Sequence, residues 1–149
     1  MVRSLEGKHP QYYEAILQLR DVSPEVVAMA NEEIARAHIP VAKSKTVTNG
    51  HDYYLADNNF TKGLGKKLQQ QFGGELILSS SLFGQKDGKE IYRGTVLFRQ
   101  ASFGKGDTVE YRGEEYVVTI LGKEMLFQHL KTGKKIHLKY REMGKVKKL

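Results

Sequence analysis

The stretch 52–99 constrains the fold of this chain more than any other, because every joint in it is marked. Residues 52–56 (Asp-Tyr-Tyr-Leu-Ala) have the composition of a short strand, and Asp57 is placed to cap a helix. Phe60, Leu64, Leu68 and Phe72 then recur every four residues, which lays one apolar stripe along a helix. Gly73-Gly74 stops that helix where a left-handed C-cap is wanted. Residues 75–83 and 90–99 read as strands, with 84–89 as the hairpin loop between them. In the second of these strands Tyr92, Val96 and Phe98 share one face, while Arg93, Thr95 and Arg99 point the other way.

A similar passage precedes it. Residues 1–10 read as an irregular lead-in, and 11–20 fit either a helix or a strand. Alternation favours the strand: Tyr13, Ala15, Leu17 and Leu19 face one way, Tyr12, Glu14, Gln18 and Arg20 the other, with Ile16 the one exception. Ser23-Pro24-Glu25 starts a helix, with serine at the N-cap and proline at the first helical position. Its buried face is expected to be Val27, Ala30, Ile34 and Ala37, with Glu25, Glu32, Glu33 and Arg36 toward water. Residues 43–48 suit a polar edge strand, and Asn49-Gly50 is a turn signal. The order β-α-β-β-α-β-β predicts an α+β fold of split-βαβ-like kind, two helices packed on one face of a mixed sheet.

After Arg99 the texture changes. Residues 100–106 contain two glycines and no clear period, which places a domain boundary there: 1–100 as an α/β domain and 101–149 as a second unit. Short strands at 108–111, 115–121, 125–130 and 135–140, with turns at 112–114, 122–123 and 132–133, predict a small SH3-like β-barrel. A unit of that size is marginal alone and is expected to lean on the first.

Charge is concentrated at one end. In residues 123–149, nine lysines and arginines stand against Glu124 and Glu142, so this segment carries the whole net charge of +7. Such a local positive field recruits phosphate backbones. There are no cysteines, which removes disulfides and thiolate zinc sites and fits an intracellular protein. No run is long and apolar enough for a membrane span, and the first residues lack the apolar core of a secretory signal.

The candidate chemical features read blandly. Gly63-Leu64-Gly65-Lys66-Lys67 lacks phosphate-loop spacing and lies within a helix, where the glycines allow close approach to the sheet or to an RNA backbone. The histidines form no metal site. A two-residue Thr132-Gly133 turn would pair 131 with 134 and set His137 opposite Gln128, on the face away from His129. His51-Asp52 has no serine or cysteine nucleophile expected beside it. Tyr92-Arg93, Tyr111-Arg112 and Tyr140-Arg141 are either base-stacking pairs or half-buried sheet tyrosines.

Three fragments, in this order and spacing, resemble the nonsense-mediated-decay-protein-three family of large-ribosomal-subunit adaptors. They are Tyr12–Arg20, then Asp52-Tyr53-Tyr54-Leu55 followed by a basic helix into Phe72-Gly73-Gly74-Glu75, and Tyr92–Arg99. The resemblance implies an α/β domain likened to a large-subunit ribosomal protein, then a barrel likened to translation factor five-A. It also implies partners in the large subunit, both rRNA and ribosomal proteins, during late assembly. This chain lacks the paired Cys-x-x-Cys zinc motifs of the family's N-terminal region, so it is expected to be a fragment or a shortened, archaeal-type member. Lys131-Thr132-Gly133-Lys134 matches the lysine-modified loop of translation factor five-A, with Lys134 at the modified position, but Ile136 replaces a glycine there. A turn that touches rRNA phosphate and an ordinary solvated turn are the remaining readings.

The expectation is a non-enzymatic, cytoplasmic, monomeric rRNA-binding factor with no catalytic residue, metal, cofactor or membrane partner. Its RNA contacts are Lys131, Lys134, Lys135, Lys139, Arg141, Lys145, Lys147 and Lys148, joined by Lys62, Lys66 and Lys67 on the second helix. A protein–protein adaptor without direct RNA binding is the alternative.

Overall fold

A computed structural model describes residues 12–149, save the side chains of Lys86 and Ile91. The lead-in expected over residues 1–10 and the strand start at Gln11 lie outside the described residues. The chain forms β1 (Ala15–Arg20), α1 (Pro24–Arg36), β2 (Val41–Val47), β3 (Gly50–Leu55), α2 (Asn58–Phe72), β4 (Gly74–Lys86) and β5 (Lys89–Gln100). These make a five-stranded sheet of order β2-β3-β1-β5-β4. β1 runs antiparallel to β3 and parallel to β5, so the sheet is mixed and the fold is α+β.

Both helices lie on one face of this sheet. Leu17, Leu19, Tyr53, Leu55, Val96 and Phe98 from the strands meet Val26, Ala30 and Ile34 of α1 and Leu64 and Leu68 of α2 in one cluster. Alternation along β1 puts Ala15, Leu17 and Leu19 at zero exposure, with Ile16, Gln18 and Arg20 on the opposite, helix-free face. Fully burying each such leucine or phenylalanine contributes about 1.5–3 kcal/mol. Gly65 is where α2 touches the sheet most closely: a Cβ there would sit 2.6 Å from Val96 Cγ1. Gly63, by contrast, faces open space.

Local signals settled most of the joints. Asp57 accepts a hydrogen bond from the Phe60 amide and caps α2. Pro24 opens α1, but the Ser23 side chain makes no cap; the Ser23 amide donates instead to Gln100 Oε1. On α1, Val26 takes the fully buried position and Val27 only packs beside it. Glu33, expected in water, is 8 % exposed, because Lys67 of α2 and Arg36 both reach its carboxylate. Gly73 ends α2 with φ +80 and ψ 134, which is a direct turn into an extended strand rather than a left-handed helical cap. The expected six-residue hairpin loop shrinks to Asp87-Gly88: pairing continues to Lys86 opposite Lys89, both turn residues have positive φ, and a bulge at Leu82/Gly84 takes up the extra residue.

The rest of the chain forms β6 (Thr108–Tyr111), β7 (Glu114–Leu121), β8 (Met125–His129), β9 (Lys135–Leu138), a 3-10 helix (Tyr140–Lys145) and β10 (Lys147–Lys148). They build a second five-stranded, fully antiparallel sheet of order β10-β6-β7-β8-β9. No ladder joins β9 to β10 among the described residues, so the expected barrel does not close by hydrogen bonding. Its own cluster contains Phe103, Val109, Tyr111, Tyr116, Val118, Met125, Phe127, Met143 and Val146. The last residues are built in rather than trailing: Lys147 and Lys148 pair with Glu110 and Val109.

The two sheets meet near the end of α2. A Cβ on Gly73 would lie 2.4 Å from Leu121 Cγ, and one on Gly122 would lie 2.9 Å from the Gln70 carbonyl oxygen. The Tyr140 hydroxyl donates to the Gly122 carbonyl at 2.6 Å and accepts from the Gly122 amide at 3.1 Å, and burial raises its pKa.

Candidate nucleic-acid interface

The loop between β8 and β9 is organised by one histidine. His129 Nδ1 accepts the amides of Lys131 (3.1 Å) and Thr132 (3.2 Å), so this nitrogen carries no proton. Nε2 lies 3.4 Å from Glu114, and the ring packs edge-on against Tyr116 at 5.1 Å. The His129 amide bonds the Lys134 carbonyl, the Gly133 amide bonds the His129 carbonyl, and Gly133 adopts φ +74. The result is a four-residue loop, 130–133, with Phe127 opposite Ile136 and Gln128 opposite Lys135. The two-residue turn read from the sequence is therefore corrected by two residues of register. Because a slip of two preserves the alternation, His129 and His137 still lie on opposite faces.

This loop and the following edge strand gather cations. Lys131 and Lys134 are exposed on the loop; Lys135 and His137 project from β9 while Ile136 and Leu138 pack on the second cluster. Lys139 and Arg141 continue the row in the exposed turn and 3-10 helix. A cleft of about 510 Å³ lies beside them, walled by Glu75 and Ile77 of β4 on one side and Lys123, His137, Lys139 and Arg141 on the other. Lys131, Lys134, Lys135, Lys139 and Arg141 form no ion pair with any described residue.

The other predicted contacts are placed differently. Lys145 lies 3.3 Å from Glu142 and Lys148 3.4 Å from Asp107, so both have counter-charges, the first from within the same turn and the second from a distant part of the chain. Glu142 has a lowered pKa, through the Tyr111 hydroxyl and Lys145; Asp107 has a lowered pKa, through the Gly104 amide and then Lys148. Lys147 sits on β10, the edge strand at the other end of the sheet order from β9. Lys67 is held by Glu33 at 2.5 Å, while Lys62 and Lys66 on α2 are without ion pairs among the described residues. Lys123 and His137 were not foreseen as site residues, though alternation with Lys135 and Lys139 is the signal that would have included His137.

Two further expectations change. Ser44 Oγ does sit beside His51, 2.7 Å from Nε2, contrary to the sequence reading. Nδ1 meets the Thr46 hydroxyl at 3.3 Å and Asp52 binds Arg20 at 2.7 Å instead, so no carboxylate orients the ring as general-base chemistry on a serine needs. Of the three tyrosine–arginine pairs, Tyr111 is buried and Tyr140 is bonded to Gly122, which leaves Tyr92 as the exposed ring. Among the described residues no group of three or more acidic or histidine side chains is placed to hold a metal ion, and no helix is long and apolar enough to cross a membrane.

These features define an α+β scaffold whose second sheet carries a cationic loop and edge strand. The family model described as NMD3, second domain, matches residues 12–99, more than half of the chain, and the chain belongs to the NMD3 family. That membership implies a role in export or assembly of the large ribosomal subunit. The matched residues run from just before β1 to the end of β5, so the cationic edge lies outside them. No curated protein matches the chain.

Proposed function

We propose that this chain is a non-enzymatic rRNA-binding factor that joins the large ribosomal subunit, as a cytoplasmic monomer, in late assembly or quality control. In this reading residues 1–100 form the adaptor domain and 101–149 an SH3-like module that supplies the phosphate contacts. The observation that carries it is the row Lys131, Lys134, Lys135, Lys139 and Arg141, exposed together and unpaired within the described residues. Lysine and arginine held this way bind phosphate by releasing condensed counterions, which makes affinity fall steeply with salt.

Sedimentation of the full chain with purified large and small subunits tests this at two salt concentrations. Selective binding to the large subunit is expected, weakening roughly a thousandfold between 50 and 200 mM salt if about six phosphates are contacted. The triple reversal Lys134→Glu, Lys135→Glu and Lys139→Glu should abolish it. Binding that ignores salt, or that survives the reversal, would sink the mechanism.

One observation favours the adaptor reading as a second. β4 is an edge strand whose base meets the second sheet and whose outer part is uncovered, and Leu78, Leu82, Phe83 and Tyr92 along its hairpin are each at least 43 % exposed. A partner strand added there would be retained after nuclease treatment, whereas an RNA-mediated association would be lost.

A further inference from the structure

The helix-free face of the first sheet carries a ladder of rings and cations. The Arg93 guanidinium carbon lies 3.4 Å from the centre of the Phe83 ring and 3.8 Å from that of Tyr13, and Arg93 Nε donates to the Tyr13 carbonyl at 3.1 Å. Tyr13 in turn meets Tyr54 edge to face at 4.9 Å, and Lys43 Nζ stands 5.5 Å from the Tyr54 ring centre. One end of the ladder is closed, since Arg93 is sandwiched between two rings. The other end is open: Tyr13, Ala42, Lys43 and Tyr54 wall a hollow of about 550 Å³, within the roughly 300–1,000 Å³ of ligand clefts.

The phenols separate this pair from every other tyrosine. Tyr12, Tyr53, Tyr92, Tyr111, Tyr116 and Tyr140 each donate to a protein acceptor. Tyr13 and Tyr54 have no such bond among the described residues, and neither hydroxyl is buried away from solvent without a partner. Lys43 and Lys45, both exposed on the edge strand β2, make no ion pair. Lys45 stands opposite Asp52 in the ladder, but that carboxylate is 4 % exposed and taken by Arg20.

We infer that this hollow binds unpaired nucleotides of single-stranded RNA. The tyrosine rings offer the π-surface on which a base stacks, the free hydroxyls offer hydrogen bonds to a base edge or a ribose, and Lys43 and Lys45 offer charge to the adjoining phosphates. Arg93 makes no direct contact; it fixes the Tyr13 ring. The site is separate from the β9 row and shares with the proposed function only the choice of RNA as partner.

The test uses the full chain, a labelled single-stranded uridine hexanucleotide, an RNA duplex of the same length and the free mononucleotide. Tyr54→Leu and Tyr13→Leu are each expected to weaken hexanucleotide binding by about tenfold or more, to leave duplex binding unchanged, and Tyr54→Phe to stay within about threefold of the parent. Ring-proton resonances of Tyr13 and Tyr54 should move on adding the hexanucleotide, and the mononucleotide should bind far more weakly. The inference is overturned if the hexanucleotide does not bind, if Tyr54→Leu binds it as the parent does, or if the shifts fall only on β9. Stronger binding of the mononucleotide would likewise overturn it in favour of a small-molecule site. Large-subunit sedimentation of Tyr54→Leu keeps the two readings apart, because the β9 row remains intact in that variant.

Discussion

Positive charge is handled differently in the two sheets. In the first, Lys43, Lys45, Lys62 and Lys66 form no ion pair among the described residues. Arg20, however, is tied to Asp52, Arg99 to Asp21 and Lys67 to Glu33, joining β1 to β3, β5 to the turn after β1, and α2 to α1, while Arg36 reaches Glu33 within α1. In the second, Lys145 and Lys148 are paired, yet the loop and edge from Lys131 to Arg141 hold five cations with no carboxylate partner among the described residues. A charge count treats these groups alike. Their pairing separates cations that close the fold from cations left for a partner. Since an exposed ion pair contributes only about 0–1 kcal/mol, edge lysines can change binding greatly while barely moving stability.

Removing the largest fully buried side chain from each cluster probes the comparison most severely. Phe98→Ala and Phe127→Ala are each expected to cost about 3–5 kcal/mol. If the sheets unfold as one cooperative unit, hydrogen exchange will accelerate in both for either variant; if they are separate, each variant will expose only its own sheet. Gly73→Ala tests the joint between them. Its φ of +80 disfavours a side chain and Leu121 lies in the way, so about 1–3 kcal/mol of destabilisation is expected, with the exchange of Leu121 and Gly122 rising beside that of α2.

A smaller, local effect should follow from His129. His129→Ala removes the acceptor for the Lys131 and Thr132 amides, and faster exchange at those two amides is expected with the rest of the second sheet unchanged. Asparagine, whose side-chain oxygen falls near the position of Nδ1, should restore part of the protection. Smallest is the acid response of Glu33. The Lys67 hydrogen bond, aided by Arg36 and opposed by burial, lowers its pKa from the usual 4.5. The folded state therefore favours the carboxylate: the contribution is present above the ordinary value and lost as pH falls through the lowered one. Glu33→Gln should make the loss of stability on acidification shallower, as read from urea midpoints, while Asp107 and Glu142, also lowered, keep the remaining dependence.

What the sequence made legible was local. Alternation found β1, short runs bounded by turn residues found β6 to β9, the four-residue recurrence found α2, and Asp57 and Pro24 marked the helix starts, because each depends on neighbours only a few residues away. The element order pointed to a mixed sheet with both helices on one face, but the strand order β2-β3-β1-β5-β4 was not read from the sequence. What stayed hidden depends on distant partners. Glu33 looked exposed because its lysine comes from another helix, and Lys148 looked unpaired because Asp107 lies far back in the chain, just ahead of β6. The Asp87-Gly88 turn was legible in principle, but the bulge at Leu82 disguised how far the pairing extends. The Tyr13–Tyr54 hollow depends on a contact between rings 41 positions apart, which no period records.

β4 spans 13 residues, or about 40 Å of strand. Its base is wedged where the two sheets meet, beside Gly73 and Leu121, whereas Leu82, Phe83 and Tyr92 toward the tip stand clear of the helices. Ser80 stands opposite Gly94, the last β5 residue paired with β1, so residues 81–93 project past the sheet as a two-stranded arm of about 20 Å. A rotation of about 10° at Ser80 and Gly94 carries the tip about 3–4 Å. Bending there re-aims the exposed tip while the pairing of β4 and β5 beneath the helices stays intact.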